Sequence, residues 1–373
     1  MKIYVETPGR VNLIGDHTDY NLGFVLPVAI DLKLQLSLVK TDAPVAKVIA
    51  ENFNQEASFG PDDLIPPQRE PQWLDYLKGV YWVLKEEGFP FIGSLINVKS
   101  NIPLGAGLSS SAALEVAVAL ALSRAGKYDI SLKNLALLSQ RAENDFVGVK
   151  CGIMDQFAVA LAKKDHALLI DCKTLDYNNV PFQLGDYKLV IVDSRVNRSL
   201  VASAYNKRKE ECEAAVSMIE KIIKRKVASL REVNIDDIKK VKTFMPPLLY
   251  KRSRYVVEEN SRVLEAVSAL KKNNLKDFGY LMKRSHAGLR DFYQVSSAEL
   301  DYLVDLASSM EGVIGARMTG AGFGGCMIIL ARQEIIGKLQ STIDESYQRD
   351  FGLKPIFYIT DAAGGAAVSE SAP

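Results

Sequence analysis

Residues 103–115 read Pro-Leu-Gly-Ala-Gly-Leu-Ser-Ser-Ser-Ala-Ala-Leu-Glu, a glycine-rich turn that runs through three hydroxyls into an apolar segment. The stretch from Phe91 to Val98 before it has strand composition. Glu115 to Ala125 after it has the composition of a buried helix, which Gly126 is expected to end. Strand, glycine loop and helix start together make a phosphate cradle. Gly105 and Gly107 let the backbone approach an anion, and the unpaired N–H groups of the first helical turn point at that anion with the helix dipole behind them. Ser109, Ser110 and Ser111 add hydroxyls for phosphate oxygens or a magnesium ion. A glycine turn with a serine cap ahead of a core helix would account for Gly-x-Gly-x-Ser alone; three serines after Pro-x-Gly-x-Gly favour the phosphate reading. No Gly-x-x-x-x-Gly-Lys-Ser/Thr occurs in the chain, so this is not a Walker loop and no lysine follows the glycines to reach the phosphates.

A second cluster, Gly320-Ala-Gly322-Phe-Gly324-Gly325, contains a formal Gly-x-Gly-x-x-Gly, the dinucleotide fingerprint. That fingerprint must follow a strand and open a helix. Here Gly325 precedes Cys-Met-Ile-Ile-Leu-Ala331, a short β-like run, and Gly312 to Met318 before the cluster also reads as a strand. The context predicts a tight strand-loop-strand connection, packed against something only glycine can approach.

The whole 373-residue chain bounds the answer further. It is 48% hydrophobic and 24% charged with a formal net charge of +1, a composition long enough for two cores and without an electrostatic reason to expect nucleic acid or a membrane surface as partner. The basic run Lys221–Lys226 reads as a solvated helix face. Cys151, Cys172, Cys212 and Cys326 lack metal spacing, and Met-Lys-Ile-Tyr-Val-Glu at the start lacks a signal peptide's apolar stretch, so a cytoplasmic setting is expected. Strands are expected at 25–29, 34–39, 95–98 and 167–171, with helices at 110–125 and 131–146. Beyond the strand 188–193, helices are expected at 203–225, 254–271, 275–287 and 297–310, then strands at 312–318, 325–331 and 355–360. Asn178, Asn179, Pro181 and Gly185 mark a boundary, giving domains at 1–180 and 181–361 and a disordered tail at 362–373.

Two further stretches carry chemistry. Pro8-Gly-Arg10-Val-Asn-Leu-Ile-Gly15-Asp16-His17-Thr-Asp19-Tyr20 offers donors and acceptors in the density that sugar hydroxyls need, although Gly-Asp-x-x-Asp is also a common turn. In Cys151-Gly-Ile-Met-Asp155-Gln-Phe a single carboxylate heads an apolar helix. It is either an N-cap or a half-buried carboxylate kept ionised by a cation. Pro71-Gln-Trp73-Leu-Asp-Tyr76, Ala142-Glu143, Ser203-Ala-Tyr205-Asn-Lys-Arg-Lys and Ser285-His-Ala-Gly-Leu-Arg-Asp-Phe-Tyr293 complete the ordered set.

In this order the motifs resemble the GHMP kinases across nearly the whole chain, and within them the branch that acts on galactose. The resemblance implies an α+β fold of two domains, an N-terminal ribosomal-protein-like α/β domain and a C-terminal ferredoxin-like domain, with the active site between them. It implies ATP with its phosphates on Gly105, Gly107, Leu108 and Ser109–Ser111 and its adenine near Trp73 and Tyr76, and Mg²⁺ held by Ser110 or Ser111 with Glu143. Asp16, His17, Asp19, Gly152, Asp155 and Tyr205 would bind the sugar. Asp155 would be the catalytic carboxylate and Arg10 its cationic partner, transferring phosphate from ATP to the anomeric hydroxyl. The same chemistry on N-acetylgalactosamine, an arabinose or a galacturonate, and a catalytically silent sugar sensor, are the alternatives; a monomer or weak homodimer is expected. Two positions depart from the family. Asp16 stands where a glutamate near the sugar 6-hydroxyl is usual, and Asp193-Ser-Arg195-Val-Asn197-Arg198 places asparagine where a basic residue is expected.

Overall fold

The apolar run after the serine loop is buried on nearly every side, and the first half of the chain is assembled around it. The computed structural model describes residues 2–196 and 201–371. In chain order the first half comprises β1 (Lys2–Asn12), β2 (Phe24–Val25), β3 (Pro27–Lys40), β4 (Ala46–Ala50), β5 (Gln55–Phe59), α1 (Trp73–Glu86), β6 (Ser94–Ser100), α2 (Ser110–Gly126), α3 (Leu132–Arg141), α4 (Met154–Leu161), β7 (His166–Asp171) and β8 (Asp176–Pro181). The second comprises β9 (Tyr187–Asp193), α5 (Val201–Ile223), α6 (Ile235–Val241), α7 (Pro247–Lys271), α8 (Leu275–Gly288), α9 (Ala298–Ser309), β10 (Val313–Met318), β11 (Cys326–Arg332), α10 (Ile336–Phe351), β12 (Ile356–Thr360) and β13 (Ala367–Ser371).

Thirteen of the 17 residues of α2 are buried, as expected of a helix without a polar face. It lies on a six-stranded sheet of order β13-β1-β3-β6-β4-β5, in which only β4 and β6 run parallel. Gly126 closes the helix differently from the sequence expectation. The left-handed residue is Lys127 (φ 56°), and a Cβ on Gly126 would stand 2.2 Å from the Tyr128 ring, so this glycine makes room for an aromatic ring. The single strand at 27–40 joins two that the sequence separates.

The second sheet, β10-β11-β9-β12, is antiparallel throughout. Its central strands are apolar on both faces, and the alternation decides which core each side chain joins. Leu189, Ile191, Cys326, Ile328 and Leu330 pack into the core of the first half. Val190, Val192, Met327, Ile329 and Ala331 face a second core with Ala215, Tyr255, Leu300 and Leu339 of the flanking helices. One sheet therefore fuses the two halves. A three-stranded sheet, β2-β7-β8, completes the first half.

The end of the chain corrects an expectation. Residues 367–371, expected within a disordered tail, form β13, which pairs antiparallel with β1 from Lys2↔Ser371 to Glu6↔Ala367. Small residues at 362–366 bring it there: a Cβ on Gly365 would meet the Ala160 carbonyl at 2.7 Å, and the Gly365 and Ala366 N–H groups donate to Ala162 and Val159. The connection also threads past the first core, in which Ala362 is buried.

Candidate functional site

The phosphate loop is shaped by two left-handed glycines, Gly105 (φ 73°) and Gly107 (φ 81°), and by Ser109 at φ 63°, a conformation costly for a residue with a Cβ. Ser109 is the N-cap of α2 but makes no side-chain capping bond; its hydroxyl donates instead to Asp155 Oδ2 at 2.6 Å. The start of α2 is thereby left to a ligand. The loop sits against β1 at Gly9, where a Cβ would meet the Leu108 carbonyl at 2.9 Å. The next residue, Arg10, donates its backbone N–H to Leu108 O at 3.2 Å.

Arg10 organises the centre. Its Nε and Nη2 form a two-pronged pair with Asp155 at 2.8 and 2.6 Å, and its Nη1 donates to Gly107 O at 2.7 Å. This decides between the two readings of Asp155. The N-cap of α4 is Ile153, with no side-chain cap, and the Asp155 carboxylate faces Arg10 and Ser109. Arg10 is held charged, since Asp155, Asp16 and Asp19 offset its burial.

Two clefts meet at this pair. One of about 390 Å³ is lined by Ser109–Ser111 and by an apolar slot that includes Leu34, Phe53, Trp73 and Tyr76. Trp73 donates its indole N–H to Gln55 Oε1 at 2.7 Å, and its ring stacks on Phe53 with centroids 5.9 Å apart. The other, about 700 Å³, is lined by Asp16, His17, Asp19, Glu143, Gly152 and Tyr205 among others. Arg10, Gly105, Gly107, Ser111 and Asp155 line both. Volumes of this order hold a nucleotide and a monosaccharide.

In the larger cleft the groups differ in what they leave available. Asp19 is buried beside Gly152, where an added Cβ would stand 1.9 Å from Asp19 Oδ2. Burial, with Asp155 and Asp16 nearby, pushes the Asp19 carboxyl up to about 6. His17 is held neutral by burial, its pKa lowered to about 3. Its Nε2 lies 3.2 Å from the Ala321 carbonyl, which can only accept, so Nε2 carries the proton and Nδ1 accepts from the Tyr20 hydroxyl at 2.8 Å. Tyr205 packs its ring 5.6 Å from that of His17. Asp16 has both oxygens engaged: Oδ1 accepts from Gly320 N at 2.8 Å and Oδ2 pairs with Arg317.

Glu143 lies in a π-helical turn, Ala142–Val147, of the kind that often marks a functional site. Ser111 Oγ approaches Glu143 Oε1 at 3.4 Å, and Gln156 Nε2 donates to Glu143 Oε2 at 2.7 Å and to the buried Glu115 at 3.2 Å. Burial, with Asp155 adding, raises the Glu143 carboxyl to about 7. A hydroxyl and a carboxylate that burial makes costly to ionise are hard-oxygen donors suited to a divalent cation, which would relieve that cost. Ser110 faces the smaller cleft alone.

The glycines at 320–325 form the expected hairpin loop between β10 and β11, and it touches the phosphate loop where Cys326 Sγ meets the Ala106 carbonyl at 3.2 Å. Arg195 is not brought to Asp155: its backbone N–H donates to Asp193 at 2.9 Å, and it borders a separate surface groove with Lys354 and Phe357. Asn197 and Arg198 lie outside the described residues. Sequence reasoning missed Phe53, Glu115 and Gln156. For Glu115 a signal existed, a lone carboxylate in an otherwise apolar helix. For Phe53, in a short 3₁₀ turn between β4 and β5, none did.

Comparison with known proteins bears on the family and the fold. Residues 75–163 match the GHMP kinases N terminal domain, 266–348 the GHMP kinases C terminal, and 2–37 the galactokinase galactose-binding signature. A galactokinase of Thermotoga petrophila is 41% identical over 361 residues, covering 97% of this chain and 98% of that protein. One of Glaesserella parasuis is 42% identical over 369 residues, covering 98% and 94%. The solved structure of Lactococcus lactis galactokinase complexed with galactose superposes with a TM-score of 0.94 at 35% identity, covering 98% of this chain and 95% of that one. Methanococcus jannaschii mevalonate kinase, at 22% identity and a TM-score of 0.70, shares the fold, with 97% and 98% covered.

Proposed function

The chain belongs to the galactokinases of the GHMP kinase superfamily, and from that premise we propose that it transfers the γ-phosphoryl group of ATP to the anomeric hydroxyl of galactose, giving α-galactose 1-phosphate. The observation that carries the roles below is the shared wall. The Arg10–Asp155 pair is the boundary at which a nucleotide cleft and a sugar cleft meet.

ATP takes the smaller cleft, its adenine in the slot beside Phe53, Trp73 and Tyr76 and its phosphates on Gly105, Gly107, Leu108, Ser109–Ser111 and the N-terminus of α2. Galactose takes the larger, where Asp19, the Gly152 backbone and Tyr205 face its hydroxyls. Three donors converge on the Asp155 carboxylate from Arg10 and Ser109. They fix its direction, and its remaining lone pairs accept the hydrogen of the attacking hydroxyl. Arg10, beside the glycine loop, places positive charge where charge accumulates on the transferring phosphoryl group. Magnesium, when bound, neutralises phosphate charge; Glu143 and Ser111, with Ser110 beside them, are the residues that would hold it.

The test is product identity. The purified protein, given ATP and Mg²⁺ with a panel of monosaccharides, should consume ATP fastest with galactose, and NMR should place the phosphate on O1. Phosphate on O6, or faster turnover of N-acetylgalactosamine, an arabinose or galacturonate, would sink this assignment; ATP-independent sugar binding without turnover would point to a sensor.

A further inference from the structure

The loop that follows β1 presents the sugar cleft with its polar groups, yet its anchors come from the other half of the chain. Arg317, fully buried, donates through Nη1 to the carbonyls of Leu13 at 2.9 Å and Asn12 at 3.3 Å, and through Nη2 to the Asp16 carboxylate. Thr319 exchanges two bonds with the Asn12 backbone at 3.0 and 2.9 Å. Glu259, also fully buried, accepts from Gly15 N at 3.0 Å, and the Tyr255 hydroxyl donates to Asp16 O at 2.9 Å. Asp16 Oδ1 and the His17 imidazole are both tied to the hairpin loop, at Gly320 N and Ala321 O.

Of the three side chains the signature Asp16-His17-Thr-Asp19 would bring to a sugar, two have their polar atoms engaged within the protein, Asp16 with Gly320 N and Arg317, and His17 with Ala321 O and the Tyr20 hydroxyl. Asp16 is paired with Arg317, whereas the Asp19 carboxylate forms no ion pair with a cation among the described residues. We propose that Arg317 and Asp16 are a positioning pair, which acts on the sugar by fixing the loop that aims Asp19, and that neither reads an individual hydroxyl. This rests on galactose being the sugar. The shorter Asp16 carboxylate suits the role, because it lies against Gly320 N and Arg317 at the base of the loop. A buried ion pair with several fixed partners is poor evidence for stability but a good device for register, and here the register set is that of a binding loop.

Positioning and contact predict different substrate patterns. A residue that contacts a hydroxyl itself loses its effect on the analogue lacking that hydroxyl, whereas a residue that acts by aiming Asp19 loses its effect on the same analogues as Asp19 does. The experiment compares galactose with its 2-, 3-, 4- and 6-deoxy analogues in the unmodified protein, in Asp19→Asn, in Asp16→Asn, and in the double variant Asp16→Leu/Arg317→Met. The double variant removes both charges together and so avoids stranding one in the core. We expect both Asp16 variants to raise the galactose KM by about ten- to a hundredfold. The galactose-to-deoxy ratios of kcat/KM should collapse only for the analogues at which Asp19→Asn collapses them and stay within about threefold of the unmodified protein for the rest, with the ATP KM within about twofold. Collapse in Asp16→Asn of a ratio that Asp19→Asn leaves intact, a galactose KM unchanged within twofold, or an equal rise in the ATP KM would each overturn the proposal. Galactose turnover by the unmodified protein is measured first, so failure of the assigned function shows itself separately from failure of the positioning pair.

Discussion

Gly152→Ala puts the sugar cleft to its sharpest test, because the objection to a methyl group there is one of space alone. No left-handed φ is required at Gly152, so alanine can adopt its backbone without strain. The added Cβ would lie 1.9 Å from Asp19 Oδ2, 2.4 Å from its Cγ and 2.9 Å from its Cβ. An ordinary C···O approach is about 3.3 Å, so the carboxylate must retreat by roughly 1.4 Å. A hydrogen bond of about 2.8 Å from a sugar hydroxyl would then stretch beyond 4 Å and cease to exist. One bond to a charged acceptor contributes about 1.5–3 kcal/mol, which converts to about a ten- to 150-fold loss of affinity. Asp19 is short and hemmed by its own backbone, so the larger figure is the expectation for galactose. The nucleotide cleft does not include Gly152 or Asp19, and the ATP KM should stay within about twofold. Calorimetric titration of galactose and initial rates with each substrate varied give the two numbers. If Gly152→Ala binds galactose within threefold of the unmodified protein, Asp19 is not the anchor of the sugar. If both KM values rise together, the substitution has disturbed more than the cleft it faces.

Asp155→Asn should retain its place, since one amide oxygen still accepts from Arg10, yet lower kcat by about two orders of magnitude or more with the melting temperature little changed; an active variant would remove Asp155 from the chemistry. Galactose affinity should fall in acid. With the Asp19 carboxyl near 6 and only its ionised form binding well, KM rises about tenfold from pH 7 to pH 5, and Asp19→Asn should flatten that slope while binding weakly throughout. The stability effect has the opposite sign. The folded carboxyl titrates above its ordinary 3.8, so this group's contribution is fully present below about pH 4 and lost as pH rises through 6; a melting series of the two proteins without sugar reads it. Phe53→Ala removes the ring stacked on Trp73 and should raise the ATP KM about three- to tenfold without moving that of galactose; no change would place the adenine elsewhere.

What the sequence made legible was local. The glycine–serine loop and the start of α2 could be read because Gly105, Gly107 and the serines announce a backbone conformation and a helix start within a few residues of one another. The decoy fingerprint at 320–325 could be dismissed because a strand, and not a helix, follows it. Helix α1 was equally readable, with Leu77, Val80, Tyr81 and Leu84 buried at helical spacing, though its aromatic start attracted the reading and its periodicity did not. The disordered tail failed for the reason such readings usually fail. Small and polar residues at the end of a chain look unstructured unless a partner strand is known, and the partner of β13 is at the opposite terminus. The division of labour within the sugar loop was illegible for a related reason. Asp16 and Asp19 are the same residue type three positions apart, and nothing between them says which will meet a cation. That is decided by Arg317, 301 residues away, which arrives because the four-stranded sheet that fuses the two cores carries its hairpin to the loop. A motif lists which groups are near a substrate; the long-range fold assigns which of them remain free to touch it.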